Sequence, residues 1–93
     1  MNKERRKELY AIAVRLTSFK NGSSGIDIED VRSDLEMVLC DEETYMDNMP
    51  ENLQNGYRYQ VAEEACTNME FAIDALDDGN IDDAINYIYS ATA

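Results

Sequence analysis

The chain contains a single proline, Pro50, and it interrupts a sequence whose apolar residues otherwise recur at helical spacing. Proline lacks a backbone N–H and disfavours helical backbone in the residue before it, so we expect a helix to end at residue 48 or 49. Asn55-Gly56 forms a second helix breaker, and helical spacing resumes at Tyr57. The stretch therefore predicts an antiparallel helical hairpin with its connection at about residues 48 to 56.

The two helices of this hairpin are predicted from their apolar periodicity. The first is expected over Asp27–Met49, with Asp27 as its N-cap, and the second over Tyr57–Asp77. Residues at the three-and-four spacing define the two faces that we expect to be buried. They are Ile28, Val31, Leu35, Val38, Leu39, Tyr45, Met46 and Met49 in the first helix, and Ala62, Ala65, Cys66, Met69, Ala72, Ile73 and Leu76 in the second.

Two further helices complete the predicted fold. Asn2–Phe19 has an apolar face formed by Leu9, Ile12, Ala13, Leu16 and Phe19, and a loop at about residues 20 to 26 follows it. After the turn at Gly79, a short helix containing Ile81, Ala84, Ile85, Ile88 and Ala91 ends the chain. With 93 residues, the sequence predicts one all-α domain: a helical hairpin packed with an N-terminal helix and a short C-terminal helix.

Three side chains on the hairpin raise questions that periodicity alone leaves open. Glu42 falls inside an apolar stripe, where a carboxylate is costly unless it is paired, and the basic first helix offers Arg6 and Arg15 as partners. Cys66 belongs to the apolar stripe of its helix, whereas Cys40 points away from the stripe of its own. We therefore expect two reduced thiols, one in the core and one near the surface.

Charge is distributed unevenly along a chain whose net charge is -12. Residues 1 to 20 hold six of the eight basic residues and only two acids, so a basic head precedes a strongly acidic body. Such a body repels nucleic acid and favours a basic protein partner. The start of the chain has no signal-peptide pattern and no stretch approaches the length of a membrane span, so we expect a cytoplasmic protein with no membrane contact.

Catalytic and metal-binding chemistry finds little support in the sequence. There is no histidine, no nucleophile and base pair, and no phosphate-binding loop, so no catalytic residue, cofactor or metal is predicted. A magnesium site is the remaining alternative, although helix capping explains the same acids more simply. The acids concerned are Asp77, Asp78, Asp82 and Asp83.

The candidate binding surface consists of acids on the Asp27–Met49 helix. They fall in two rows that flank its apolar stripe, at a density of about one acid per 4 Å of helix axis, close to the ~3.4 Å between phosphates along one DNA strand. The other interpretation is a solvated acidic surface that only keeps the protein soluble. The rows are Asp27, Asp30, Asp34 and Asp41 on one side and Glu29, Glu36, Glu43 and Asp47 on the other, with Glu51, Asn52 and Gln54 added at the tip of the hairpin.

Two segments, ERRKELYAI and EETYMDNMPENLQNGYRYQVAEEACTNMEFAIDAL, resemble a group of short acidic helical proteins encoded by bacteriophages and other mobile elements. The central DNMPENLQ is the most specific part, and the KNGSSGID loop departs from the group, whose members run one continuous helix there. The resemblance implies no enzymatic activity for this chain. It implies a phage or prophage setting, in which small acidic proteins often inhibit host defence nucleases of CRISPR or restriction systems.

Two functions from different classes follow from these observations. The first is an inhibitor that binds a basic nucleic-acid-binding enzyme through its acidic rows, as a nucleic-acid mimic that does not itself bind nucleic acid. The second is a helical adaptor or homodimer that uses leftover apolar surface, with tyrosines suited to an interface. The tyrosines in question are Tyr57, Tyr59, Tyr87 and Tyr89.

Overall fold

The computed structural model describes residues 1 to 93, and its regular secondary structure is entirely helical. The predicted all-α fold is confirmed, as are the hairpin and the two helices packed with it. None of the helices is both long enough and apolar enough to cross a membrane. The helices are α1 (Lys3–Lys20), α2 (Ile28–Asp47), α3 (Tyr57–Asp77) and α4 (Ile81–Ala91), with a single 3-10 turn at Glu51–Leu53 between α2 and α3.

Local side chains determine where these helices begin and end. The carboxylate of Asp27 accepts a 2.9 Å hydrogen bond from the backbone N–H of Glu29, which satisfies one of the unpaired donors at the start of α2. The last residue of α2 is Asp47, three positions before Pro50. Gly79 adopts a φ of 75° between α3 and α4, the left-handed conformation that glycine accepts at little cost. The sequence-predicted ends of the hairpin helices therefore lie within two residues of the observed ones.

The helices form an up-down-up-down bundle in which α1 and α3 each pack against both α2 and α4. Ion pairs show the antiparallel arrangement, because residues late in α1 meet residues early in α2 and α4. Arg15 pairs with Asp34, and Lys20 pairs with Asp82. The molecule is elongated, measuring 48 by 20 by 18 Å.

The core is a continuous cluster of small and branched apolar side chains from all four helices. The predicted buried face of α3 is confirmed at every position, and Ala75 is buried as well. Four core residues predicted between residues 27 and 49 are only half-buried: Ile28, Leu39, Met46 and Met49. Two others are exposed, since Phe19 and Tyr45 each leave 37% of their surface in contact with solvent. Both lie at the end of their helix, where the bundle offers fewer neighbours to cover a large ring.

Glu42 is fully buried, as its place in the apolar stripe predicts, but the predicted partners are wrong. Neither Arg6 nor Arg15 contacts it: Arg6 donates to backbone carbonyl oxygens, and Arg15 pairs with Asp34. The partner is Arg5, whose Nε donates a 2.6 Å hydrogen bond to Oε1 of Glu42. Adjacent positions on α1 differ by about 100° around the helix axis, so the orientation of α1 about its own axis decides which arginine points at α2.

Candidate functional site

The row formed by Glu29, Glu36, Glu43 and Asp47 lies on the side of α2 that adjoins α3, and all four side chains are exposed. Arg32 establishes this placement, because it bonds to Glu36 on its own helix and to Asp77 on α3. The first three acids of the row are seven residues apart. That spacing repeats about every 10 Å along the helix axis, or about three phosphate steps of one DNA strand.

Helix α3 adds a second row of exposed carboxylates beside the first. Glu63, Glu70 and Asp77 recur at seven-residue spacing along α3, on the edge that Asp77 places beside Arg32 of α2. Asp77 contacts Arg32 directly, and Glu70 lies close enough to Cys66 to affect its ionisation. We call the combined surface the acidic face. It consists of Glu29, Glu36, Glu43 and Asp47 of α2 with Glu63, Glu70 and Asp77 of α3.

The α3 half of this face was missed by the sequence prediction, which considered α2 alone. Seven-residue spacing of acids on α3 is visible in the sequence, but its relation to α2 depends on how the hairpin closes. The structure brings the two rows together because α2 and α3 pack along their length. Arg32 is the one basic side chain that pairs with acids of the face.

The second predicted row lies on the opposite side of α2, next to α1. Asp34 accepts a 2.5 Å hydrogen bond from Arg15 of α1, which neutralises it. Asp27 caps α2, so its carboxylate also has a structural partner. Asp30 and Asp41 are exposed and form no ion pair. The two predicted rows therefore lie on different sides of α2. In the row beside α1, two of the four carboxylates, those of Asp27 and Asp34, already have partners within the protein.

The three predicted residues at the tip of the hairpin form a third, separate location. Glu51 and Asn52 are exposed in the 3-10 turn, where their side chains are available to a partner. Gln54 is half-buried, and its Nε2 donates a 3.2 Å hydrogen bond to the carbonyl oxygen of Met49. Its side chain therefore supports the connection, and only the first two residues are presented outward.

The thiol of Cys66 lies in the core, with two carboxylates of the acidic face, Glu43 and Glu70, nearby. Burial raises the pKa of this thiol to about 12, and the nearby carboxylates of Glu42, Glu43 and Glu70 add to the increase. At neutral pH the thiol is therefore protonated, and its Sγ lies 3.7 Å from Sδ of Met46. Both cysteines are free, with Cys40 exposed and Cys66 buried, as predicted.

Three of the four acids at the turn between α3 and α4 have partners within the protein, and the fourth, Asp78, is exposed. Asp77 pairs with Arg32, Asp82 pairs with Lys20, and Asp83 accepts a hydrogen bond from the side chain of Asn80. No group of three or more acidic or sulfur side chains is arranged to hold a metal ion.

Comparison with known proteins finds no matching family model, no matching curated protein and no matching solved structure.

Proposed function

We propose that the protein is a non-enzymatic binding module whose acidic face docks onto the basic, nucleic-acid-binding surface of another protein. The observation that carries this proposal is the pairing of two carboxylate rows, one on α2 and one on α3, with Arg32 as the one basic side chain paired to them. Two parallel lines of negative charge on a rigid scaffold resemble the charge pattern of a nucleic-acid backbone.

The class of partner follows from this charge pattern together with the sequence resemblance. A surface evolved to bind phosphates presents arginine and lysine side chains, and these are the groups that a carboxylate row attracts. The resemblance to phage and mobile-element proteins favours a host defence nuclease, of the CRISPR or restriction type, as the owner of that surface. The protein then acts as a competitive inhibitor in the host cytoplasm.

The test compares two variants with the same change in net charge. In one, Glu29, Glu36, Glu43 and Glu70 are replaced by glutamine. In the control, Glu4, Glu8 and Glu64 become glutamine and Asp78 becomes asparagine, which removes four exposed charges that lie outside both predicted rows. We expect the wild-type protein and the control to capture a nucleic-acid-binding enzyme from the host and to displace its double-stranded DNA, with a salt-sensitive affinity. The acidic-face variant is expected to bind about tenfold or more weakly.

A second candidate function is a homo-oligomeric adaptor, favoured by two exposed aromatic pairs on the surface of α4. Phe71 and Tyr87 lie with ring centroids 5.3 Å apart, and Tyr10 and Tyr89 lie 6.3 Å apart. Between 36% and 48% of each of these side chains is exposed, an amount of aromatic surface suited to an interface. A salt-insensitive dimer by light scattering, together with no competition against DNA, would establish this function and exclude the inhibitor.

A further inference from the structure

A cleft of about 520 Å³ lies where the start of α1 meets the hairpin, and it is cationic although the protein as a whole is strongly acidic. Arg5 and Arg6 of α1 and Arg58 of α3 line it, together with the rings of Tyr45 and Tyr57. No aspartate or glutamate side chain contributes to its wall. We call this the arginine cleft.

The arginines of the cleft keep hydrogen-bond donors that the fold does not use. Arg6 is half-buried and held by two backbone carbonyls, those of Thr92 and Met1, and it pairs with no side-chain carboxylate. Arg58 is exposed and forms neither a salt bridge nor a side-chain hydrogen bond. Arg5 uses its Nε for Glu42 and leaves its terminal nitrogens free. Since a guanidinium has five N–H donors, the cleft offers several that converge on one space.

The aromatic side chains give the cleft a second chemical character. Tyr57 is 80% exposed, and Tyr45 has the guanidinium of Arg5 5.4 Å from its ring centroid. A neighbouring groove of about 710 Å³ shares both tyrosines and Arg58, and Leu53 adds apolar surface to it. A cationic end therefore adjoins an aromatic and apolar end, within the size range of small-molecule sites.

We propose that the arginine cleft binds a nucleoside phosphate, with the phosphate on the guanidinium groups of Arg6 and Arg58 and the base against the ring of Tyr57. Guanidinium groups match phosphate oxygens in geometry and charge, and tyrosine rings stack on any base. Two carboxylates lie at the cleft, the terminal one of Ala93 in its wall and that of Glu42 bonded to Arg5. The three guanidinium groups and the amino group of Met1 outnumber them, and acids beyond about 8 Å are largely screened at physiological ionic strength, so the local charge stays positive. This site is separate from the acidic face and does not depend on the function proposed for it.

The test is isothermal titration of the full chain with AMP, adenosine and inorganic phosphate. We expect saturable AMP binding, with adenosine and phosphate each about tenfold weaker because each lacks one half of the ligand. Arg58→Ala is expected to weaken AMP and phosphate binding about tenfold. Tyr57→Ala is expected to weaken AMP binding by a similar factor and to leave phosphate binding unchanged.

The control variant is Lys7→Ala, which removes an exposed cation of α1 that does not line the cleft and is expected to leave AMP binding unchanged. Arg58 and Tyr57 are suitable for substitution because they are exposed, whereas Arg5 supports a buried carboxylate. Circular dichroism establishes that each variant is folded. The absence of AMP binding, or binding that neither Arg58→Ala nor Tyr57→Ala changes, overturns the proposal. Phosphate binding as tight as that of AMP also overturns it, because the base then contributes nothing.

Discussion

Arg5 and Glu42 form an ion pair in the core, with the arginine Nε 2.6 Å from a carboxylate oxygen that belongs to a fully buried side chain. The second oxygen of Glu42 lies 3.4 Å from the amino nitrogen of Met1 and accepts no hydrogen bond. The pair joins residues 37 positions apart and fixes the start of α1 against the second half of α2. Because Arg5 also lines the arginine cleft, the same contact positions one wall of that site.

Replacing Glu42 by glutamine is expected to lower the free energy of unfolding by about 3 kcal/mol, because removal of one member of a buried ion pair leaves the other charge uncompensated. Urea denaturation followed by circular dichroism measures the change. Glu43→Gln is the matched control, since this neighbouring side chain is exposed, and its stability is expected to stay close to that of the wild type. Equal stability of the two variants would show that the buried pair contributes nothing.

The Arg32–Asp77 pair predicts that the stability of the fold depends on pH in the acidic range. The hydrogen bond from Arg32 lowers the pKa of Asp77, its positive charge lowers it further, and desolvation opposes both effects. A carboxyl whose pKa is lower in the folded state stabilises the fold fully above its unfolded pKa. That contribution is lost as the pH falls through the folded pKa.

NMR titration of the Asp77 side-chain carboxyl carbon measures this effect directly. We expect a pKa below 3.8 in the wild type and a return toward that value in Arg32→Met. The difference in melting temperature between the two proteins is expected to shrink as the pH falls below the folded pKa. A titration of Asp77 that Arg32→Met leaves unchanged would contradict the assignment.

The two cysteines are expected to differ in reactivity. Cys66 is buried with a pKa raised to about 12, so it has almost no thiolate at neutral pH, whereas Cys40 is exposed. Treating the native protein with iodoacetamide is expected to add one label per chain, on Cys40, as read by mass spectrometry. Cys40→Ser should then accept no label until the chain is denatured. Two labels on the native protein would show that the core around Cys66 opens readily.

Much of the fold follows from local chemistry that can be read along the sequence. Pro50 ends one helix, Gly79 turns the chain between two others, and Asp27 caps the start of α2, each through its own backbone or side-chain properties. The apolar stripe of α3 predicts its buried face correctly, since the helical repeat fixes which residues share a side. Of the predicted binding residues, those on α2 occupy the two sides of the helix where periodicity places them.

The sequence by itself determined that these helices exist, where they end and which stripe of each is buried, because those properties depend on neighbours within a few residues. The tertiary structure decided that Arg5, and neither Arg6 nor Arg15, meets Glu42. It also brought the acids of α3 beside those of α2 and placed Arg58 near Arg6 in one cleft. Such relationships depend on the rotation and axial offset of one helix against another, which the packing of the whole core determines.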